Sequence, residues 1–294
     1  MSSAQQLPIK IGVLGGSGLY ELEGLTDLEE IQLSTPYGEP SDAFLTGQLD
    51  GIDVVFLPRH GRGHRVNPSE INFRANIWGL KRLGVTHVLS VSAVGSLREE
   101  IVPGHFVVID QFIDRTRHRP DTFFEDGIVA HVMFADPVCS SLRASLLTAC
   151  AEVELTVHDG GTYVNMEGPQ FSTRAESNLY RSWGADVIGM TNLQEAKLAR
   201  EAELHYATVA MSTDYDCWHE GHDDVTVDQV IATMRENVGH ARELIARTIR
   251  LIPGATYACG CDSALAPAIM TARECITPEA RLRLGPLVDK YLGD

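Results

Sequence analysis

Three segments of this chain carry residue types that could hold an oxyanion, and a fourth carries their chemical complement. Gly15-Gly16-Ser17-Gly18 follows the apolar run at 9–14. A glycine turn leaving a strand points bare backbone N–H groups at one spot, and Ser17 adds a hydroxyl donor. Arg59-His60-Gly61-Arg62-Gly63-His64-Arg65 gathers three arginines and two histidines. His60 and His64 are four apart, which would suit a metal on a helix. Two glycines make this a loop, however, and the arginines would repel a cation. The expectation is therefore an anion and no metal. Ser92-Ala93 lies where a β-branched run ends. Ser17, Arg59, His60, Ser92 and the Ala93 N–H could converge on one tetrahedral oxyanion, such as inorganic phosphate. Asp214 and Asp216 are the complement. They could accept from an amine or, if protonated, give a proton to a leaving heterocycle. A turn or capping role is the plainer reading of the same pair.

What is missing narrows the chemistry. No Lys follows the glycine turn, as a nucleoside-triphosphate loop would require. The spacing Gly16-x-Gly18-x-x-Glu21 puts a carboxylate where a dinucleotide turn wants a third glycine. The chain has 294 residues and a formal net charge of −16, which argues against nucleic acid or an anionic membrane as partner. Its six cysteines are scattered, so a secreted disulfide scaffold is not expected. Cys259-Gly260-Cys261 is the one close pair and reads as two ordinary loop thiols. With no apolar leader and no apolar run of spanning length, a soluble cytoplasmic protein is expected.

These groups need a frame. Strand-like runs fall at 9–14, 54–57, 85–92, 106–109 and 205–211. Helical signals lie between them. Asn67-Pro68-Ser69-Glu70 starts one helix and Gly84 closes it. Thr226 with Gln229 forms a capping box for a second. There Val227, Val230, Ile231, Met234, Val238, Ala241, Leu244, Ile245 and Ile249 repeat at helical spacing until Pro253-Gly254. Alternating strands and helices predict a single α/β domain with a central mixed sheet flanked by helices. Residues 1–253 would form its body, and 254–294 an appendage of the same domain. In such sheets, sites form at the carboxyl ends of strands, which is where the chemical clusters fall.

Longer matches identify the pattern. They include Gly15-Gly16-Ser17-Gly18-Leu19, Arg59-His60-Gly61-Arg62, Asn76-Ile77-Trp78, the run from Gly95 to Glu100, the run from Asp110 to Thr116, Glu167-Gly168-Pro169-Gln170-Phe171-Ser172 and Thr213-Asp214-Tyr215-Asp216-Cys217-Trp218. From residue 11 to about 252 the chain resembles the trimeric purine nucleoside phosphorylase / methylthioadenosine phosphorylase family. The resemblance implies a nucleoside phosphorylase-like fold and phosphorolysis in purine and methionine salvage. Phosphate would attack C1' of S-methyl-5'-thioadenosine and release adenine and 5-methylthioribose 1-phosphate. Ser17, Arg59, His60, Ser92, Ala93 and Thr191 would hold phosphate. Met190 would lie under the ribose, and Phe171, Ser172, Asp214 and Asp216 would line the base. Asp214 and Asp216 are the candidate catalytic residues. Phosphate is a co-substrate and no cofactor is implied. A homotrimer or a dimer of trimers is implied, with residues 112–119 and 118–134 near an interface.

Two positions separate the branches of that family. Ser172 stands where the enzymes for guanine and hypoxanthine nucleosides carry Glu, and Asp214 where they carry Asn. A hydroxyl suits the bare N1 of adenine, and a carboxylate suits its 6-amino group. Val227 stands where those enzymes often carry His, and would suit a 5'-methylthio group. The alternative is a broader phosphorylase acting on adenosine or 6-oxopurine nucleosides. A nucleoside hydrolase would need no anion cradle, and a non-catalytic binding protein would need no aspartate pair.

Overall fold

The structure, a computed structural model, describes residues 8–219 and 227–292. The first half runs β1 (Lys10–Gly15), β2 (Leu25–Ile31), β3 (Phe44–Leu49), β4 (Ile52–Pro58), α1 (Phe73–Arg82), β5 (His87–Ser96), β6 (Phe106–Val108) and β7 (Gln111–Arg115). The second runs α2 (Ser140–Cys150), β8 (Val157–Asp159), β9 (Thr162–Met166), α3 (Arg174–Ser182), β10 (Val187–Gly189), α4 (Asn192–Glu201), β11 (His205–Asp214), α5 (Val227–Leu251), α6 (Pro278–Leu284) and α7 (Asp289–Leu292).

Four strands, β4, β1, β5 and β11, lie side by side and parallel, and their apolar runs are buried on both faces as parallel strands require. Leu14, Val55, Leu57, Val88 and Tyr206 pack under α1 and α4 on one face. Ile11, Val13, Phe56, Leu89, Val91, Val209 and Met211 pack under α2 and α5 on the other. The alternation follows from the period of two along a strand.

Strand β5 is where the sheet divides. Its first half pairs with β1, from Ile11↔His87 to Leu14↔Ser90. Its last two residues pair with antiparallel β10, at Gly95 and Ser96. Strand β11 runs along its other edge throughout, with Ala210 opposite Ser92 and Asp214 opposite Gly95. From Val91 to Val94, therefore, the β1 edge of β5 has lost one neighbour and not yet gained the next.

Several boundaries differ from the sequence reading, each for a local reason. Helix α1 starts at Phe73, not near Pro68, because Asn72 caps it by accepting from the Ala75 amide at 3.1 Å. Asn67 and Glu70 instead form a turn closed by their own side chains and backbone. Strand β5 continues to Ser96 rather than ending at Ser92, since β11 and β10 extend its pairing. Gly16 has φ −74° and leads into one turn of 3-10 helix over Ser17–Tyr20. Strands β2, β3 and β7 to β10 and helices α2, α3 and α4 are added to the expected set. Thr226 lies outside the described residues, as do the side chains of Ser17, Val227, Gln229, Val230, Ile231 and Met234.

The C-terminal segment is built into the body. Leu265, Ala268, Leu284, Leu287 and Val288 are buried in the core beneath α1 and α4. The Trp78 indole donates to the Leu284 carbonyl at 3.1 Å. Among the described residues no helix is long and apolar enough to cross a membrane.

Candidate active site

The parallel register brings the separated motifs to one edge. Gly15 pairs with Pro58 and Leu14 with Ser90. Residues just past β1 and β4 therefore stand beside residues 91–94 of β5. Gly16-Ser17, Arg59-His60, Ser92-Ala93 and Asp214 all lie at the carboxyl ends of neighbouring strands. From Ser92 to Asp214 is roughly 10 Å at about 3.3 Å per strand residue.

Arg59 does not reach out into this space with a bare charge. Its guanidinium is buried and forks onto the Glu195 carboxylate with Nε and Nη2. Nη2 also donates to Ser90 Oγ at 2.7 Å, and Nη1 to the Val91 carbonyl at 2.9 Å. Glu195 accepts in turn from Ser90 Oγ at 2.7 Å and Tyr206 Oη at 3.1 Å. Asn192 completes the network through Ser90, Tyr206 and Thr208. Arg62 and Arg65 turn away to Asp42, and Arg62 also to Glu30. The basic loop read from the sequence thus separates into one buried anchor and a surface network.

His60 is neutral near pH 7. Burial first, and the Arg59 charge second, push it down to about 4. Its Nδ1 lies 2.9 Å from the Val66 carbonyl, which can only accept, so Nδ1 carries the hydrogen and Nε2 is left as an acceptor. The His64 ring stacks on it at 4.3 Å.

The uncommitted donors sit at the gap in the sheet. Ser90 and Ser92 share a face of β5, but only Ser90 is taken into the Arg59 network. Ser92 Oγ and Tyr163 Oη are both buried, and neither makes a well-aligned hydrogen bond to any described residue. They lie side by side with Thr191. Burial raises the Tyr163 phenol, while Ser92 and Thr191 beside it act to lower it. The Val91 carbonyl faces Arg59, so Ala93, two residues on, presents its N–H to the same open edge. Thr191 is the residue before α4, whose N-terminus supplies the positive end of a helix dipole. Tyr163 escaped the sequence reading. The signal for it was Gly189, where a Cβ would collide with the Tyr163 hydroxyl. Glu195 escaped too, because an acidic residue in a first helical turn reads as dipole complement.

The second half of the site holds the carboxylates. Asp214 ends β11, accepts from the Asp216 amide at 2.8 Å and lies 2.7 Å from Thr213 Oγ1. Thr213 Oγ1 also lies 3.2 Å from the Val94 carbonyl. One hydroxyl hydrogen serves one acceptor, so both contacts are satisfied when Asp214 carries a proton. Burial raises the Asp214 pKa, against the bonds from Thr213 and Asp216, and Asp216 adds to the rise. Burial raises Asp216 as well, while Ser177 and Ser172 lower it. Asp216 adopts φ +51°, and its Oδ2 is buried without a partner among the described residues. A Cβ on Gly95 would come within 3.0 Å of Asp214 Oδ1. Phe171 is 52 % exposed at the rim. Met190 lies against Gly168, which adopts φ +68°. The turn reading of the aspartates is therefore realised for Asp214, without using up Asp216.

With this geometry in view, the chain was compared with known proteins. Residues 10–250 match the family model described as the phosphorylase superfamily. The S-methyl-5'-thioadenosine phosphorylase of Geobacter sulfurreducens is 60 % identical over 283 residues, covering 96 % of this chain and 99 % of that protein. The protein of the same name from Koribacter versatilis is 55 % identical over 285 residues, covering 97 % of each. Among solved structures, a methylthioadenosine phosphorylase sourced from an antarctic soil metagenomic library superposes with a TM-score of 0.91 at 47 % identity, covering 96 % of this chain and 99 % of that one. A mutant adenosine/methylthioadenosine phosphorylase from Schistosoma mansoni, in complex with methylthioadenosine, gives 0.82 at 38 % identity, covering 88 % and 96 %.

The Arg59 network generates a stability prediction. Arg59→Ala leaves Glu195 buried without its counter-charge, which costs about 3–5 kcal/mol. Urea denaturation should show that loss. An unchanged unfolding midpoint would mean that the pair does not anchor the fold.

Proposed function

The chain belongs to the phosphorylase superfamily, and from that premise we infer that it is a pentosyltransferase that cleaves S-methyl-5'-thioadenosine with inorganic phosphate. The C1'–N9 bond breaks, a C1'–O bond to phosphate forms, and adenine and 5-methylthioribose 1-phosphate leave. The observation that carries this reading is the open edge of β5. There the buried Ser92 and Tyr163 hydroxyls and the Ala93 amide lie roughly 10 Å along the strands from the Asp214 carboxyl. The names of the relatives at 55 and 60 % identity support the same substrate.

Phosphate is held in this reading by the Ser92 and Tyr163 hydroxyls, the Ala93 N–H, Thr191 at the α4 N-terminus and Ser17. His60 Nε2, as an acceptor, takes the hydrogen of a monoprotonated phosphate. Arg59 supports Ser90 and the β5 edge from behind. Fixing the anion against C1' makes a bimolecular step local, and its charge stabilises the oxocarbenium-like transition state. Asp214, whose pKa burial raises, protonates adenine N7 or bonds to it as the base leaves. Asp216, Ser172 and Phe171 complete the base side, Met190 lies under the sugar, and Val227 meets the methylthio group. Phosphate is consumed as co-substrate and the reaction uses no cofactor. The reading places the enzyme in cytoplasmic purine and methionine salvage. Adenosine is the second substrate to consider, since one structural neighbour is named for both nucleosides. Ser172 and Asp214 disfavour 6-oxopurines.

A homotrimer accompanies this reading. Val129 and Met270 are exposed at 46 % and 65 % and joined by a backbone bond, and Met133 nearby is 79 % exposed. An apolar surface of this kind fits burial between subunits. Light scattering at working concentration should return three chain masses or a multiple of three, and a monomer would refute the assembly.

Two kinetic predictions follow from the site. Adenine release from methylthioadenosine should require phosphate. Ser92→Ala should raise the phosphate KM more than the nucleoside KM. Release without phosphate would instead mean a hydrolase.

Asp214→Asn should lower kcat by about 10²–10⁴-fold with a smaller change in KM. In the parent enzyme, kcat should fall as pH rises through the raised Asp214 pKa, and the Asn variant should lack that limb. Near-normal kcat in Asp214→Asn would move the acid to another group.

A further inference from the structure

Far from the candidate active site, four potential metal ligands converge from three remote parts of the chain. They are Cys139, His205, Cys259 and Cys261, and their ligand atoms all lie within 4.8 Å of one another. Cys139 Sγ is 3.3 Å from Cys259 Sγ and 3.4 Å from His205 Nδ1, and Cys259 Sγ is 3.2 Å from the same nitrogen. A tetrahedral zinc ion with Zn–S near 2.3 Å and Zn–N near 2.0 Å needs ligand separations of about 3.5–3.8 Å. The three separations among Cys139, His205 and Cys259 lie within about half an ångström of that shape. Cys139, Cys261 and His205 are buried.

Each ligand is positioned by a local feature. Cys139 is the cap of α2, where its sulfur accepts from the Leu142 amide at 3.3 Å and feels the positive end of the helix. Its own amide donates to the Tyr206 carbonyl at 2.7 Å, which sets α2 beside β11. His205 begins β11, and its ring stacks on His87 at 4.5 Å and meets the tilted Tyr257 ring at 4.7 Å. Gly260 takes φ +66°, a left-handed turn that suits glycine and turns both flanking sulfurs to one side. Three sulfurs and an imidazole are a donor set for zinc.

We propose that Cys139, His205, Cys259 and Cys261 form a structural zinc site that pins the C-terminal segment to the starts of α2 and β11. The site takes no part in the reaction. His205 opens the ten-residue strand that Asp214 closes, so the two sites are roughly 30 Å apart. Zinc here would close chain loops between residues 139, 205 and 259, which stabilises the fold by restricting the unfolded chain.

The test is the metal content of the full chain, purified under thiol-reducing conditions without chelator. About one zinc per chain is expected, as for a closed four-ligand site. Cobalt substitution should give the intense visible bands of tetrahedral thiolate coordination. Cys259→Ser with Cys261→Ser should abolish both signals, lower the melting temperature and leave nucleoside turnover at permissive temperature unchanged. Zinc, and not magnesium, should restore the melting temperature of chelator-treated parent enzyme. Should the double variant fail to fold, metal content and the cobalt spectrum of the parent decide alone. Parent protein without metal overturns the proposal in either form. For metal-free protein prepared without reductant, six titratable thiols after denaturation would mean plain thiols, and two fewer a disulfide.

Discussion

The buried fork between Arg59 and Glu195 constrains everything around it. Two charges removed from water are tolerated only when their remaining hydrogen-bonding capacity is met. Here the groups of the network come from five elements: Leu14 and Arg59 at the ends of β1 and β4, Ser90 and Val91 on β5, Tyr206 on β11 and Glu195 on α4. None of these can slip by one residue without stranding a charge. The fork therefore fixes the register at which β1 leaves β5, and so fixes where the open edge begins. Ser92 owes its position to Ser90, two residues earlier on the same face.

This arrangement divides the polar groups by task. Those with full charge, Arg59 and Glu195, face one another. Arg119, likewise buried, is paired to Glu167 and to the Met190 and Glu167 carbonyls. The groups proposed for the open edge are neutral: the Ser92 and Tyr163 hydroxyls, the Ala93 amide, the α4 N-terminus and the His60 imidazole. In that proposal an anion would meet dipoles fixed in advance, in a setting where water is scarce and such dipoles act strongly.

Much of this was legible in the sequence, and the exceptions share a cause. The buried parallel strands announced themselves as continuous apolar runs, and the long α5 by its periodicity. Residues 15–18, 59–60, 92–93 and 214–216 were found because their types are unusual at strand ends. Short strands such as β8 and β10, three residues each, carry too few side chains to show a period. The anchoring of Arg59 was not visible for a different reason. Its charge is visible in the sequence, but Glu195 is 136 residues away and its partnership exists only in three dimensions. Tyr163 was missed likewise, since its polar end matters only through Gly189 and Ser92.

Strands β5 and β11 are held at both ends by polar clusters of opposite character. At the start, His87 and His205 stack beside the three clustered thiols, and His87 is pushed down to about 3 by burial and by His205. Both rings are buried, and the soft cysteine cluster needs no counter-charge from His87. At the end, Asp214 and Gly95 pair across a shift in register, beside hydroxyls that lack partners. The long apolar middle of the two strands carries rigidity from one end to the other, because neither can shift against the other without exposing its alternating core residues. A firm anchor at the far end is therefore what permits polar groups at the near end to remain unsatisfied. A sheet free to slide would let them find partners within the chain, and the open edge would close.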